Sequence, residues 1–392
     1  MPLLVPMVPR DTEEQHRAAT PLELFFDLTF VVAVAQASDS LHHGLVGGHA
    51  TRAIVSFPLV FFAIWWAWMN FTWFASAYDN DDVAYRIAVF VQMTGVLILA
   101  AGVPRAFTDV SFGVITVGYV VMRLAMVGLW VRAGVQHPEG RACAFRYAIG
   151  IGVLQVGWVL RLALPDEAAL VAFFMLAALE LAVPLWAERA GRTPWHPRHI
   201  AERYGLFTII VLGESVLSAT TGVQTAIDLN TPFSDLGFVV VGGLLTLFAM
   251  WWIYFDLPNA RVAELVREEF VERVASAFTW GYGHYLVFAS AAAVGAGLVV
   301  EVDHVTGHSD LTALESALAF TLPVSLFLLS VWAVHYRYKR ATWVRSWAVP
   351  AAVALVVVSS ATREPVLATG VVLVVLVAVH VWAQQGAASS SL

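Results

Sequence analysis

The chain has 392 residues, of which 59% are hydrophobic and only 13% charged, with a mean hydropathy of +0.73. Soluble domains carry about 25% charged residues, so lipid is the main solvent this composition suits. A net charge of -7 with no basic run argues against a nucleic-acid partner, and Cys143 as the single cysteine excludes an internal disulfide and every cysteine-based metal or redox motif. The partners expected are membrane lipid and an ion or small solute, with no cofactor.

Residues 1–20 lack the apolar core of a secretory signal and carry Asp11, Glu13 and Glu14, so they read as a short cytoplasmic tail. Beyond them, stretches of roughly 17 to 25 apolar residues recur, the length that a hydrocarbon core of ~30 Å asks of a helix. They fall at 22–40, 54–77, 84–103, 110–131, 147–164, 168–187, 202–222, 236–257, 275–299, 314–336, 346–361 and 365–384. Short connections join them, which predicts an all-α polytopic integral membrane protein of about twelve transmembrane helices. Of the 22 Lys and Arg residues, Arg52, Arg105, Arg161 and Arg363 fall on one side of the membrane, Arg123 lies inside the fourth span, and the rest share the side of the N terminus. Loops rich in Lys and Arg stay inside, so both termini are expected in the cytoplasm of a bacterial cell, with the chain in its inner membrane.

An internal echo accompanies this count. "LELFFDLTFVV" at 22–32 aligns with "AERYGLFTIIV" at 201–211, setting Glu23 against Glu202 and Thr29 against Thr208, and Trp65 and Trp66 have counterparts in Trp251 and Trp252. The division expected is a tail at 1–20, a six-helix repeat at 21–190, a second at 200–385 and a C-terminal tail at 386–392. Six helices per repeat make the two repeats parallel.

The first helix opens with Thr20, Pro21 and Glu23, a capping box with proline at its first position. Asp27 lies one turn deeper on the same face and has no capping explanation. After the second span, "YDNDDVAYR" places Asp79, Asp81 and Asp82 beside Arg86; a solvated loop with Asp82 capping the third helix explains it better than a cation site. Asn70 and Gln92 add uncharged donors and acceptors. Arg123 is the obvious countercharge for one of the membrane acids, and Glu180, four residues before Pro184, is one of them. The glycines of "GIGVLQVG" at 150–157 read as helix packing.

Glu202 and Arg203 open the seventh helix, and Glu214 lies well inside it. A charge at a helix centre costs ~2.5–3.5 kcal/mol on insertion scales, so Glu214 faces the bundle, a cavity or a partner. Ser218 and Thr221 extend the same stripe, Ser215 adjoins it, and Gly213 is expected to let a neighbouring backbone approach. A buried structural contact and a solute, cation or proton site both remain open. His284, between Tyr282 and Tyr285, reads as a packing residue that also has the chemistry to titrate near neutral pH.

No Gly-x-Ser-x-Gly, Walker A, His-Glu-x-x-His or dinucleotide pattern is present. "LELFFDLTFV", "YDNDDVAYR" with "AAGVPRAF" after it, "HIAERYGLFTIIVLGESVL" and "WWIYFD" together resemble the bacterial low temperature requirement A (LtrA) family of membrane proteins. That resemblance implies a multi-span inner-membrane protein named for growth in the cold. It marks Glu23, Asp27, Asp79, Asp81, Asp82, Arg86, Glu202, Arg203 and Glu214 as motif positions and supplies no reaction or substrate. Three functions compete: a transporter or channel-like protein for a cation or small solute, with proton coupling and with Glu214 and Asp27 lining the pathway; a membrane-embedded enzyme acting on lipid or an isoprenoid carrier through Glu214 or His284; and a structural or sensory membrane protein. The oligomeric state is not set by the sequence.

Overall fold

The computed structural model describes residues 2–11, 18–78, 80–228, 233–255, 274–336 and 343–389. Asp79, Arg17, Arg261, Arg267, Arg273, Arg337, Lys339 and Arg340 lie outside them. Among the described residues are twelve α-helices and no strand: α1 (Pro21–Val46), α2 (Ala50–Ala77), α3 (Val83–Thr108), α4 (Gly113–Gln136), α5 (Arg141–Arg161), α6 (Asp166–Ala187), α7 (Pro197–Asp228), α8 (Phe233–Phe255), α9 (Val274–Val305), α10 (Ala313–Tyr336), α11 (Trp343–Ser359) and α12 (Pro365–Ser389). Each expected span holds one helix. Eleven are long and apolar enough to cross a membrane, and α11 has 17 residues. The protein is an all-α polytopic membrane protein.

Helix ends differ from the apolar limits because hydrogen bonding outlasts hydrophobicity. α1 continues past residue 40 through His42 and His43 until Gly47 and Gly48, where Gly48 takes φ +76°, a left-handed value that glycine adopts without strain. α7 starts at Pro197, with the His196 ring accepting the His199 N–H. Its 32 residues span about 48 Å, more than the hydrocarbon core requires. α6 runs on through Pro184.

The chain divides into two compact units. The first holds Met1–Ala37 and Leu59–Tyr204, the second Ser38–Pro58 and Gly205–Leu392, so α1, α2 and α7 each contribute to both. In the first unit α3 packs on α4, α4 on α5 and α5 on α6. Gly118 of α4 meets the Leu99 backbone so closely that a Cβ there would lie 2.4 Å from its nitrogen. Trp65, Trp66, Trp68, Phe26, Phe30 and Phe71 fill its interior. In the second unit α9 packs on α10, α10 on α11, α11 on α12, and α8 on α12. α9 is its most buried helix, lined by alanines, and Gly297 brings it onto the Ala319 and Phe320 backbone of α10. Small residues at such crossings are how helices associate where lipid is as apolar as leucine.

Large apolar side chains also cover the outside, among them Phe25, Leu28, Val171, Phe174 and Met175. Helices apolar on both faces fit a bilayer.

The N-terminal segment is bound rather than trailing. Val5 N–H donates to Asp82 Oδ2 at 2.9 Å, Met7 N–H to Gln136 Oε1 at 2.8 Å, and Arg10 N–H to the Ala77 carbonyl at 3.1 Å. Met7 is buried.

Candidate functional site

Charged side chains collect inside each unit, and their partners separate structural groups from chemically open ones. In the first unit, Glu23 of α1 closes the expected capping box: Thr20 N–H donates to Glu23 Oε2 at 2.8 Å, and Glu23 N–H donates to Thr20 Oγ1 at 3.2 Å. The same carboxylate turns its other oxygen to α7. Arg203 Nη1 and His199 Nε2 lie 2.9 and 3.2 Å from Glu23 Oε1, ion-pair contacts rather than aligned hydrogen bonds. Asp27, one turn on, accepts two bonds from Arg203, Nε at 2.9 Å and Nη2 at 2.5 Å, and a third from Trp68 Nε1 at 2.7 Å. All four charged groups are 0–1% exposed. Glu202, next to Arg203, points elsewhere and accepts the Ala19 N–H at 3.3 Å.

A second group sits among α2, α4, α5 and α6. Glu180 pairs with Arg123 at 2.6 Å, so Arg123 is the countercharge of Glu180 and not of Glu214. Trp66 Nε1, Tyr119 Oη, Gln155 Nε2 and Trp158 Nε1 donate to the same carboxylate at 2.9–3.3 Å. Five donors exceed the roughly four lone-pair sites of a carboxylate. Glu180 is saturated, which suits a structural role.

At the α2–α3 turn, Asp82 caps α3 as expected, accepting the Tyr85 N–H at 2.8 Å. It is buried rather than solvated, because Arg132 and the Val5 N–H close over it. Burial by itself raises this carboxyl; the Arg132 side chain and the Val5 and Tyr85 N–H groups outweigh that and hold it at about 2. Asp81 and Arg86 form an exposed bidentate pair.

In the second unit, Glu214 of α7 is 6% exposed. Ser218 donates to its Oε1 at 2.7 Å, and Oε2 is buried with no hydrogen-bond partner. Among the described residues no basic side chain pairs with it. The stripe continues along α7 through Ser218 to Thr221, which is exposed and bonds the Leu217 carbonyl at 3.1 Å. Gly213 corrects an expectation: a Cβ there would meet nothing within 4 Å, so no backbone approaches Glu214 on that side. The close approach is made instead by Gly295 of α9, whose Cβ would lie 3.0 Å from Ser215 Cα.

His284 is fully buried, its Nδ1 2.8 Å from the Trp280 carbonyl and its ring beside those of Trp280, Tyr254 and His335.

With these positions in view, the comparison with known sequences is informative. A profile of the bacterial low temperature requirement A protein (LtrA) family matches residues 18–381. The chain belongs to that family. A protein of Rhizobium meliloti (strain 1021), named Uncharacterized protein RA0937, is 29% identical over 286 residues, which is 70% of this chain and 67% of the relative. The LtrA match includes every charged group just described, so these belong to the family region rather than to an appended segment. The relative's name carries no activity to transfer.

Within this LtrA-family protein, several site residues escape a linear reading. His199, Trp68, Gln155, Tyr119 and Trp158 gain their significance from a partner on another helix. Asp39 falls at the very end of its span and His42, His43 and Asp303 lie past the apolar limits of theirs, although the Asp-x-x-His-His spacing at 39–43 is itself a visible signal once α1 is extended to Val46.

Proposed function

We propose that this LtrA-family membrane protein is a transporter or channel-like protein for a cation or small solute, coupled to protons, in the bacterial inner membrane with both termini cytoplasmic. The observation that carries the reading is Glu214: a buried carboxylate with one serine donor, a second oxygen without a partner and no basic neighbour among the described residues. A buried charge left in that state costs several kcal/mol. A proton or a bound cation removes the cost, and a stripe of hydroxyls from Ser218 to Thr221 gives either a route outward.

The shared neighbour order, α3 to α6 in one unit and α9 to α12 in the other, supports two six-helix repeats. The repeats have diverged in environment. Trp65 and Trp66 are buried, whereas Trp251 and Trp252 are each 47% exposed.

The test is flux of protons, sodium, potassium and small solutes in liposomes containing the purified protein. Glu214→Gln keeps the acceptor for Ser218 and removes the charge, and it is expected to lower flux at least about tenfold, the loss of one charge-dependent step of about 1.4 kcal/mol. Absence of flux by the wild type with every solute, or equal flux by the variant, overturns the proposal.

A further inference from the structure

We propose that Asp39, His42 and His43, at the C-terminal end of α1, form a binding site for a divalent first-row transition metal ion, with Asp303 of α9 orienting His42. The site does not presuppose transport.

Residues at i, i+3 and i+4 share one helix face. Each of these three presents one ligating atom, and the three atoms lie within 4.8 Å of one another. His43 Nδ1 is 3.3 Å from Asp39 Oδ1, and the His42 and His43 ring centroids are 4.8 Å apart. Ligands held ~2.0–2.2 Å from a metal stand ~3.3 Å from each other. The longest separation therefore contracts by ~1.5 Å on binding. His43 Nδ1 also lies 2.9 Å from the Asp39 carbonyl, and rotation of the Asp39 and His43 side chains, 61% and 69% exposed, releases that contact and provides the movement.

The second helix supplies an independent observation. His42 Nε2 lies 2.6 Å from Asp303 Oδ2, with both side chains mostly covered. A carboxylate on one imidazole nitrogen fixes the ring and its tautomer, the support that accompanies metal-bound histidines and raises their basicity. A pair of histidines that merely faced solvent would need no such partner. The C-terminal end of a helix also carries partial negative charge, which favours a cation.

The donor set selects the ion. Two imidazoles and a carboxylate are borderline donors that suit Zn²⁺, Co²⁺, Mn²⁺ or Fe²⁺, whereas Mg²⁺ and Ca²⁺ ask for an all-oxygen shell. Three protein ligands leave the remaining positions to water, so the ion is exchangeable.

The experiment uses the full chain, purified in detergent, stripped with chelator and freed of any affinity tag. Zn²⁺ is titrated calorimetrically, and Co²⁺ is followed by its visible absorption, which reports nitrogen and oxygen ligands. The wild type is expected to take up one ion per chain. His42→Ala with His43→Ala is expected to weaken Zn²⁺ at least about 100-fold and to erase the Co²⁺ band, Asp39→Asn to weaken it less, and Asp303→Asn to weaken it ~10–100-fold. His49→Ala and His308→Ala, exposed histidines outside the group, are expected to leave binding unchanged. No stoichiometric uptake by the wild type, or unchanged affinity in the double variant or in Asp39→Asn, overturns the site. Unchanged affinity in Asp303→Asn overturns the orienting role. Liposome flux is read separately, so stoichiometric binding without flux upholds the site while the transport reading falls.

Discussion

Asp27 accepts two hydrogen bonds from Arg203 where neither meets water, and Arg203 also pairs with Glu23, so two buried carboxylates depend on one guanidinium. Removing one partner of a buried pair costs about 3–5 kcal/mol, because the remaining charge is left uncompensated. Arg203→Met is therefore expected to destabilise by about that amount, read as a large fall in the thermal midpoint in detergent. Glu214→Gln should shift the same midpoint by less than about 1 kcal/mol, because the amide oxygen still accepts from Ser218. Equal effects of the two substitutions would mean that the partners seen here do not govern stability. The contrast also sorts the acids by partner: Asp27 and Glu180 face arginines, and Glu214 has no basic partner among the described residues. Each acid is visible in the sequence as an anomaly in an apolar span. Which of them is paired is not, because Arg203 lies far along the chain from Asp27 and meets it only when α7 packs beside α1.

Two contacts at the element scale depend on a single residue. Asp82 joins the α3 N terminus, Arg132 of α4 and the N-terminal segment at Val5. Its carboxyl is held at about 2, below the ordinary aspartate value near 4. A depressed folded value gives stability that is fully present above pH ~4 and lost as pH falls through ~2. Protease cleavage within residues 2–11 is thus expected to rise across that window, and Asp82→Asn is expected to show the higher cleavage already at neutral pH. Flat cleavage in both proteins would sink this reading. Gly297 is the other such residue: a Cβ would lie 2.3 Å from the Ala319 carbonyl oxygen, a backbone atom that cannot swing away. Gly297→Ala should cost about 1–3 kcal/mol through overpacking. Gly128→Ala, where a Cβ meets nothing within 4 Å, should instead gain about 0.5–1 kcal/mol of helix propensity. The ranking of the two midpoints checks the assignment of the α9–α10 crossing. The capping role of Asp82 follows from its place before an apolar run, but its burial does not, since the residues that cover it come from the N-terminal segment and from α4.

For the whole molecule, the testable consequence of the charge distribution is orientation. The proposed orientation, twelve crossings with both termini cytoplasmic, would place the α3–α4 turn at Asp109 and the α9–α10 turn at His308 outside, and the α4–α5 turn at Glu139 inside. Cys143 is buried, so single cysteines introduced at those turns can be read against a quiet background with a membrane-impermeant thiol reagent. Labelling in intact cells at Asp109→Cys and His308→Cys but not at Glu139→Cys is expected; the reverse pattern would invert the topology, and mixed labelling would break the helix count. The same orientation puts Asp39, His42, His43 and Asp303 at the outer ends of α1 and α9.

The sequence by itself determined the solvent, the number of crossings and the suspect acids, because apolar length and the cost of a charge in hydrocarbon are local properties that no neighbour alters. Family membership was legible too, in "HIAERYGLFTIIVLGESVL". The tertiary structure alone decided which charges are compensated. An ion pair is a property of two helices, and the distance along the chain from Asp27 to Arg203, or from His42 to Asp303, carries no trace of the few ångströms that separate them in the fold.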